Sequence, residues 1–423
     1  MNIVLMNHYA GSPSHGMEFR PYYLAREWEK LGHSVQVLAA SRSHVRSRQP
    51  ELTNHRLNQE IDGVKYSWYA TPSYRGNGVG RLINIAIFLL RVWLDTPRIV
   101  REFRPEIVIA SSTYPLDIWV ARRMARLAGA ILVYEIHDLW PLSPIETAGM
   151  SKWHPFAILC QKAENFAYRS SDLVVSILPK VHEHVVAHGL SLNRLAIVSN
   201  GISPDDWVEQ VVEKTSLRED LETILIDAKK AGEIVVGYAG SMGLPNALDT
   251  LLDAVPRVGA GVRFVLVGDG HERIRLQKRI GEENLTNVNI LPPIKKTQIP
   301  TFLRRLDIAY IGWKHLSIYR FGIAPNKLMD YMMAECAVLQ SVEAGNDPVV
   351  EAGCGLTVAP EDPDAVARGI LELAALSAAE RAAMGARGRA FVQANHTYPV
   401  LARQFLTEVS LRRGAKKGGH VNV

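Results

Sequence analysis

The sequence predicts an α/β protein of two doubly wound, parallel-sheet domains in tandem, facing a central cleft. Three observations predict it. The chain has 423 residues, too many for one ordinary core and enough for two domains of about 200 residues. Short apolar runs alternate with amphipathic segments, the pattern of parallel strands covered by helices on both faces. That alternation restarts after residue 230.

In the first half, Ile3–Met6, Ser34–Ala39, Ile107–Ala110, Ile131–Glu135, Leu173–Ile177 and Ala196–Val198 read as buried strands. Helical patterns over Arg20–Leu31 and Pro115–Leu127 fall between them. In the second half the strands are Ile234–Ala239, Arg263–Val267, Asn289–Leu291, Ile308–Ile311, Ala337–Gln340 and Leu356–Val358. Helices over Ala247–Val255, His271–Ile280 and Asn326–Met333 separate them. The join falls near Asn200–Lys229, where Ser203-Pro204-Asp205-Asp206 supplies turn chemistry and a polar helix follows. The expected domains are 1–205 and 206–396, with a last helix at about 397–413 packing back on the first. The basic, Gly-rich end Gly414–Val423 is expected to fray.

A hydrophobic share of 47% and a charged share of 22% are those of a soluble globular protein. The three cysteines, Cys160, Cys336 and Cys354, are scattered without a C-x-x-C, which argues against a disulfide framework or zinc site and fits a reducing cytoplasm. The opening MNIVLMNHY has no basic leader and reads as a strand, not a secretory signal. The most apolar run, Ile83–Leu90, ends at Arg91, far short of the roughly 20 residues that a spanning helix needs. The first 200 residues carry 22 Lys and Arg against 16 Asp and Glu, which points that half toward an anionic partner such as a phosphate or a lipid surface. No basic block interleaves with aromatics, so nucleic acid is excluded as the partner.

Five segments carry the chemistry. Asn7–Gly16 links the first strand to the first helix; its glycines, Gly11 and Gly16, let backbone N–H groups approach an anion or a sugar hydroxyl. Tyr134-Glu135-Ile136-His137-Asp138-Leu139-Trp140-Pro141 places His137 at a strand end, where it can meet a reacting sugar; it can equally be structural, with Asp138 fixing its tautomer. Gly240-Ser241-Met242-Gly243 and Gly268-Asp269-Gly270 are small-residue βα turns that suit a phosphate. Phe321–Tyr331 reads as a loop entering a helix, with Pro325 at the first helical position and free N–H groups at the positive helix end. Lys327 adds a cation for a diphosphate, and Asp330, three residues on and on the same face, can accept both ribose hydroxyls. Last, Arg81–Leu94 has charged residues at helical spacing and a broad apolar face, fitting either a helix on an anionic membrane or a core helix. Arg42, Arg46, Arg48 and Arg56 can guide a lipid headgroup or merely decorate a loop.

Together these residues resemble the retaining GT-B-fold glycosyltransferases of family 4, most closely the bacterial branch that builds O-antigens and other surface polysaccharides. The resemblance runs through HYAGSPSHGMEFRPYYLAREWEKLGHSVQVLAAS, YEIHDLWP, the SNGI turn, YAGSMG, FVLVGDG and GIAPNKLMDYMMA. It implies metal-independent transfer, without a cofactor, from a nucleotide sugar held by the second domain to an acceptor presented by the first. UDP and an N-acetylated hexosamine-type sugar are the donor parts expected. The acceptor expected is a lipid-linked saccharide at the cytoplasmic face of the inner membrane, within lipopolysaccharide biosynthesis. The resemblance assigns His137 and Gly16 to the reacting centre, Pro293 and Ile294 to the base and Asp330 to the ribose. The residues themselves add Lys327 to the reacting centre and Ser241, Met242, Gly243, Gly268, Ala324, Pro325 and Asn326 to the donor. On the acceptor side the candidates are His15, Arg46, Arg48 and Trp140.

The chain departs from the family in three places. Ser241 stands where an Arg is usual, Asn246-Ala247 where a Lys-Gly pair is usual, and Gly322 where the first acid of the paired-Glu motif is usual. Lys327 is expected to restore the missing positive charge. Two other readings share the fold: a nucleotide-sugar 2-epimerase, and a non-catalytic sugar-binding homologue.

Overall fold

The computed structural model describes residues 1–76, 78–209, 212 and 215–418; the last five residues of the segment expected to fray lie outside them. The chain divides into two compact units, Met1–Asn200 with the returning helix Tyr398–Gly418, and Gly201–Thr397.

The first unit is built on β1 (Asn2–Met6), β2 (Ser34–Ala40), β3 (Arg56–Ile61), β4 (Val64–Tyr69), β5 (Ile107–Ala110), β6 (Ile131–Ile136), β7 (Leu173–Ser176) and β8 (Leu195–Ile197). Their order is β3-β4-β2-β1-β5-β6-β7-β8, with only β3 antiparallel. The strand order reverses at β1, which pairs with β2 on one side and β5 on the other. A doubly wound sheet opens its ligand crevice at such a switch point, beyond the carboxyl ends of the strands. Asn7, His8, Ser111 and Ser112 sit there.

The β3–β4 hairpin is absent from the sequence expectation. Its strands carry too many polar residues to read as an apolar run, and β3 exposes Asn58, Gln59 and Glu60. The signal lies in the turn. Asp62 and Gly63 both take positive φ, 49° and 83°, which is the two-residue turn favoured between twisted antiparallel strands.

The second unit holds β9 (Ile234–Ala239), β10 (Val262–Val267), β11 (Val288–Leu291), β12 (Ile308–Gly312), β13 (Ala337–Ser341) and β14 (Gly355–Val358). All six coincide with expected strands. They are parallel in the order β11-β10-β9-β12-β13-β14, so β9 is the switch strand and the turn after it faces the crevice.

Apolar residues on both faces of each sheet make the cores. The last helix closes the first of them: the Trp28 indole donates to the Ala402 carbonyl (3.1 Å) and packs against Phe405 (centroids 5.1 Å apart), while Tyr398 stacks on Tyr23. Helix Val79–Phe103 resolves the two readings of Arg81–Leu94 into two faces. Ile85, Phe88, Val92 and Ile99 are buried, whereas Val79, Ile83, Leu90, Trp93 and Leu94 face outward, Val79 and Leu94 at 71% and 69% exposure. No helix among the described residues is long and apolar enough to cross a membrane.

Phe405 is 1% exposed, so Phe405→Ala is expected to cost about 3–5 kcal/mol of stability through lost transfer energy and a cavity. Urea denaturation measures it, and a loss under about 1 kcal/mol would show that the last helix does not seal this core.

Candidate active site

In the second unit the turns after β9 and β10 lie backbone against backbone. Gly240 donates to the Val267 carbonyl (3.0 Å) and Met242 to the Asp269 carbonyl (2.8 Å). A Cβ on Gly268 would stand 1.8 Å from the Gly240 oxygen, and one on Gly270 2.3 Å from the Met242 oxygen, so only glycine fits either place. The candidate backbone donors separate accordingly. Met242 N–H is spent on Asp269, its side chain is fully buried, and Gly268 N–H is given to Leu291. The N–H groups of Ser241 and Gly243 have no partner among the described residues.

Lys327 lies against this pair of turns. Gly240, at φ 150°, makes room for it: a Cβ there would fall 2.6 Å from Lys327 Cδ. The Nζ donates to the Tyr238 hydroxyl (2.8 Å) and to Asn246 Oδ1, and lies 4.7 Å from the Tyr238 ring centroid. Tyr238 in turn donates to the Ser241 carbonyl (2.5 Å). All these partners are neutral; among the described residues no carboxylate pairs with Lys327. Burial alone pushes its pKa down to about 7. A shift of that size corresponds to about 5 kcal/mol of lost preference for the charged form. One anionic oxygen at about 4 Å returns about 4 kcal/mol at the effective dielectric of such sites. The amine thus rests on neutral partners, with no anion beside it among the described residues.

The helix that carries Lys327 runs Asn326–Met333, with Pro325 in the cap position, one residue ahead of the position expected for it, and no side chain capping its N-terminus. The first-turn N–H groups of Asn326 and Lys327 are therefore open, at the positive end of the helix. The loop before it is pinned by Asn346, which accepts from Ile323 N–H (2.7 Å) and donates to the Ile323 carbonyl (3.1 Å). The Asp330 carboxylate has no hydrogen-bond partner among the described residues, and burial raises it to about 7, with Lys296 opposing the rise and Asp206 adding to it. Gly322, where the family's first acid is missing, has φ 94°, a conformation strained for any side chain. The loop shape and the missing acid go together. Pro293 is exposed beyond β11, and Ile294 is half-buried against the core.

In the first unit, His137 follows β6 and its Nε2 lies 2.9 Å from Ser111 Oγ and 3.1 Å from Glu135 Oε2. Ser111 donates to the same Glu135 oxygen (2.6 Å), and Arg20 grips the other through Nε and Nη2 (3.1 and 2.9 Å). Burial opposes the charge of Glu135, yet Arg20, His137 and Ser111 hold its carboxyl well below the usual range. A carboxylate fixed in the ionised state only accepts, so the Nε2 facing Glu135 carries a proton. The group that fixes the tautomer is thus Glu135, not Asp138, which instead accepts from Leu139 N–H (2.9 Å).

The Asn7–Gly16 loop is folded on itself. Gly16 N–H donates to the Ser12 carbonyl (2.8 Å), which corrects its expected role as an open donor, and a Cβ on Gly11 would stand 1.8 Å from the Gly16 oxygen. His15 Nδ1 is held by Ser12 Oγ (2.8 Å). Arg46 is buried, donates to the Ala10 and Ala40 carbonyls and stacks on Trp68; it braces the loop and offers no face to a ligand. Arg56 is paired with Asp95. Arg48 is exposed, and Trp140 is half-buried beneath the Arg81 guanidinium, which also donates to Tyr9 (2.9 Å).

Known proteins match this frame. Residues 15–201 match the family described as Glycosyl transferase 4-like domain, and residues 233–375 the Glycosyl transferases group 1 family. The chain belongs to the GT-B-fold glycosyltransferases. A protein named as a colanic acid biosynthesis glycosyl transferase, WcaI of Escherichia coli K12, is 22% identical over 366 residues, 81% of this chain and 85% of that one. Sucrose-phosphate synthase of Thermosynechococcus elongatus superposes with a TM-score of 0.73 at 16% identity, covering 98% of this chain and 100% of that one. The Anabaena protein HepE, solved with UDP and glucose, gives 0.67 at 16% identity, over 97% and 99%. WaaG, a glycosyltransferase of lipopolysaccharide biosynthesis, gives 0.63 at 13%, over 95% and 98%.

Sequence reasoning missed Tyr238, Asn246 and Asn346 around the lysine, and Arg20 and Ser111 around His137. Only Asn246 left a trace, as the residue standing in the family's Lys position. Arg20 and Glu135 are both nearly unexposed, and removing one partner of such a pair leaves an uncompensated buried charge. Glu135→Ala is therefore expected to cost about 3–5 kcal/mol. Because the folded carboxyl lies below its ordinary value, that stabilisation is present at neutral pH and disappears only on strong acidification. Chemical denaturation at neutral pH tests this; an unchanged midpoint would contradict it.

Proposed function

We propose that this glycosyltransferase takes the sugar of a UDP-linked donor, of the N-acetylated hexosamine type, and transfers it with retention to a lipid-linked saccharide in bacterial surface polysaccharide synthesis. The observation that carries the donor half is Lys327, a half-buried amine without an anion, beside open N–H groups of Ser241, Gly243, Asn326 and the lysine itself. A diphosphate supplies the absent charge. As the bond from the anomeric carbon to the diphosphate oxygen breaks, these groups bind the growing negative charge without a metal or other cofactor. Asp330 accepts the ribose hydroxyls, and the backbone near Pro293 and Ile294 holds the base. His137 meets a hydroxyl of the sugar through Nδ1. Retention, absence of a metal, UDP and the sugar type rest on the family-4 resemblance; HepE, of the same fold, was solved with UDP and glucose.

Isothermal titration with UDP tests the donor half. Lys327→Met is expected to weaken UDP at least about tenfold, and unchanged affinity overturns the assignment. The pH dependence has a definite sign. At about pH 8 the free amine is largely neutral and the UDP-bound amine charged, so binding takes up close to one proton. Titrations in buffers of different ionisation enthalpy read that uptake, which the variant should lack; proton release by the wild type contradicts the scheme.

The acceptor half rests on the outer stripe of helix Val79–Phe103, where Val79, Ile83, Leu90, Trp93 and Leu94 are exposed beside Arg98 and Arg101. Arg123 stacks 4.7 Å over Trp93. An apolar stripe flanked by arginines fits an anionic membrane surface, here the cytoplasmic face of the inner membrane, as a peripheral protein. In flotation the chain is expected to rise with anionic vesicles and to stay below when Leu90→Asp and Leu94→Asp are combined. Absence of wild-type flotation contradicts the membrane assignment.

A further inference from the structure

Glu164, on helix Pro155–Ser170, is 1% exposed in its side chain. A carboxylate at that depth needs compensation. Its hydrogen bonds come from Tyr168 Oη (2.8 Å), Gln161 Nε2 (2.7 Å) and His184 Nε2 (2.8 Å), and none from an Arg or Lys among the described residues. His184 lies on helix His182–Ala187, and His188 follows one turn later, so both rings share a face, with centroids 4.5 Å apart. One ligand atom from each of the three lies within 4.8 Å of the others. None of them shares a hydrogen bond with Ser111, Glu135 or His137.

We propose that Glu164, His184 and His188 form a site for one divalent transition cation of the zinc class, tying helix Pro155–Ser170 to helix His182–Ala187. Two imidazoles and a carboxylate are a borderline donor set that suits zinc, nickel or copper, whereas calcium and magnesium require oxygen ligands. Tetrahedral zinc bonds of 2.0–2.1 Å place ligand atoms about 3.3 Å apart, which small ring rotations reach from the present spacing. The surrounding groups are those that orient metal ligands: Tyr168 on Glu164, and Gln161 and Asn165 on His188 Nδ1 at 3.1 and 3.0 Å. The site is structural, and the transfer chemistry does not pass through it.

The test is to strip the full chain with chelator, dialyse it against ZnCl2, and count bound metal while following thermal unfolding. The wild type is expected to hold one equivalent and to melt higher as zinc rises. His184→Ala and His188→Ala should each lose that equivalent, while His315→Ala, an exposed histidine of the second unit, keeps it. No bound zinc in the wild type, or equal stoichiometry in the variants, overturns the proposal. Should either variant fail to fold, Co2+ titration of the wild type decides: visible d–d bands of a tetrahedral site support the assignment, and a silent spectrum refutes it.

Discussion

The second unit holds the Lys327 amine half-buried against neutral oxygens, and no carboxylate pairs with it among the described residues. Lys327 reaches its place because Gly240 has no side chain, because the turns after β9 and β10 lie in backbone contact, and because Asn346 fixes the loop that starts its helix. Replace the glycines with alanine and the turns separate; release the loop and the helix N-terminus loses its aim. These contacts converge on one amine, the group on which the proposed donor site rests.

The departures from family 4 then acquire a physical sense. Asn246, where the resemblance expects a lysine, accepts a hydrogen bond from Lys327. Ala247, in the place of the usual glycine, keeps φ at 44°, the left-handed conformation that glycine adopts without cost. In the first unit, at Glu135, a single carboxylate anchors Arg20 with one oxygen and sets the His137 tautomer with the other.

What was legible in the sequence follows from the range of the interactions. Strands buried on both faces show as apolar runs, and all six strands of the second unit could be read that way. The β3–β4 hairpin could not, because its outer face is polar and its register depends on one Asp-Gly turn. Lys327 and Asp330 lie on the helix the sequence predicted, Asn326–Met333, because its periodicity is local. Arg46 could not be read, since nothing local says that its guanidinium turns inward to the Ala10 and Ala40 carbonyls. The Arg20–Glu135 pair and the Glu164–His184–His188 group join residues 115 and 20 positions apart, a separation that only the folded sheet brings to contact.

A crystal structure with UDP tests the central claim most directly. The account predicts the diphosphate oxygens within hydrogen-bonding distance of Lys327 Nζ and of the Asn326–Met333 helix N-terminus, with the Lys327–Asn246 contact lengthened or broken. A nucleotide bound elsewhere, with Lys327 still resting on Tyr238 and Asn246, would contradict it.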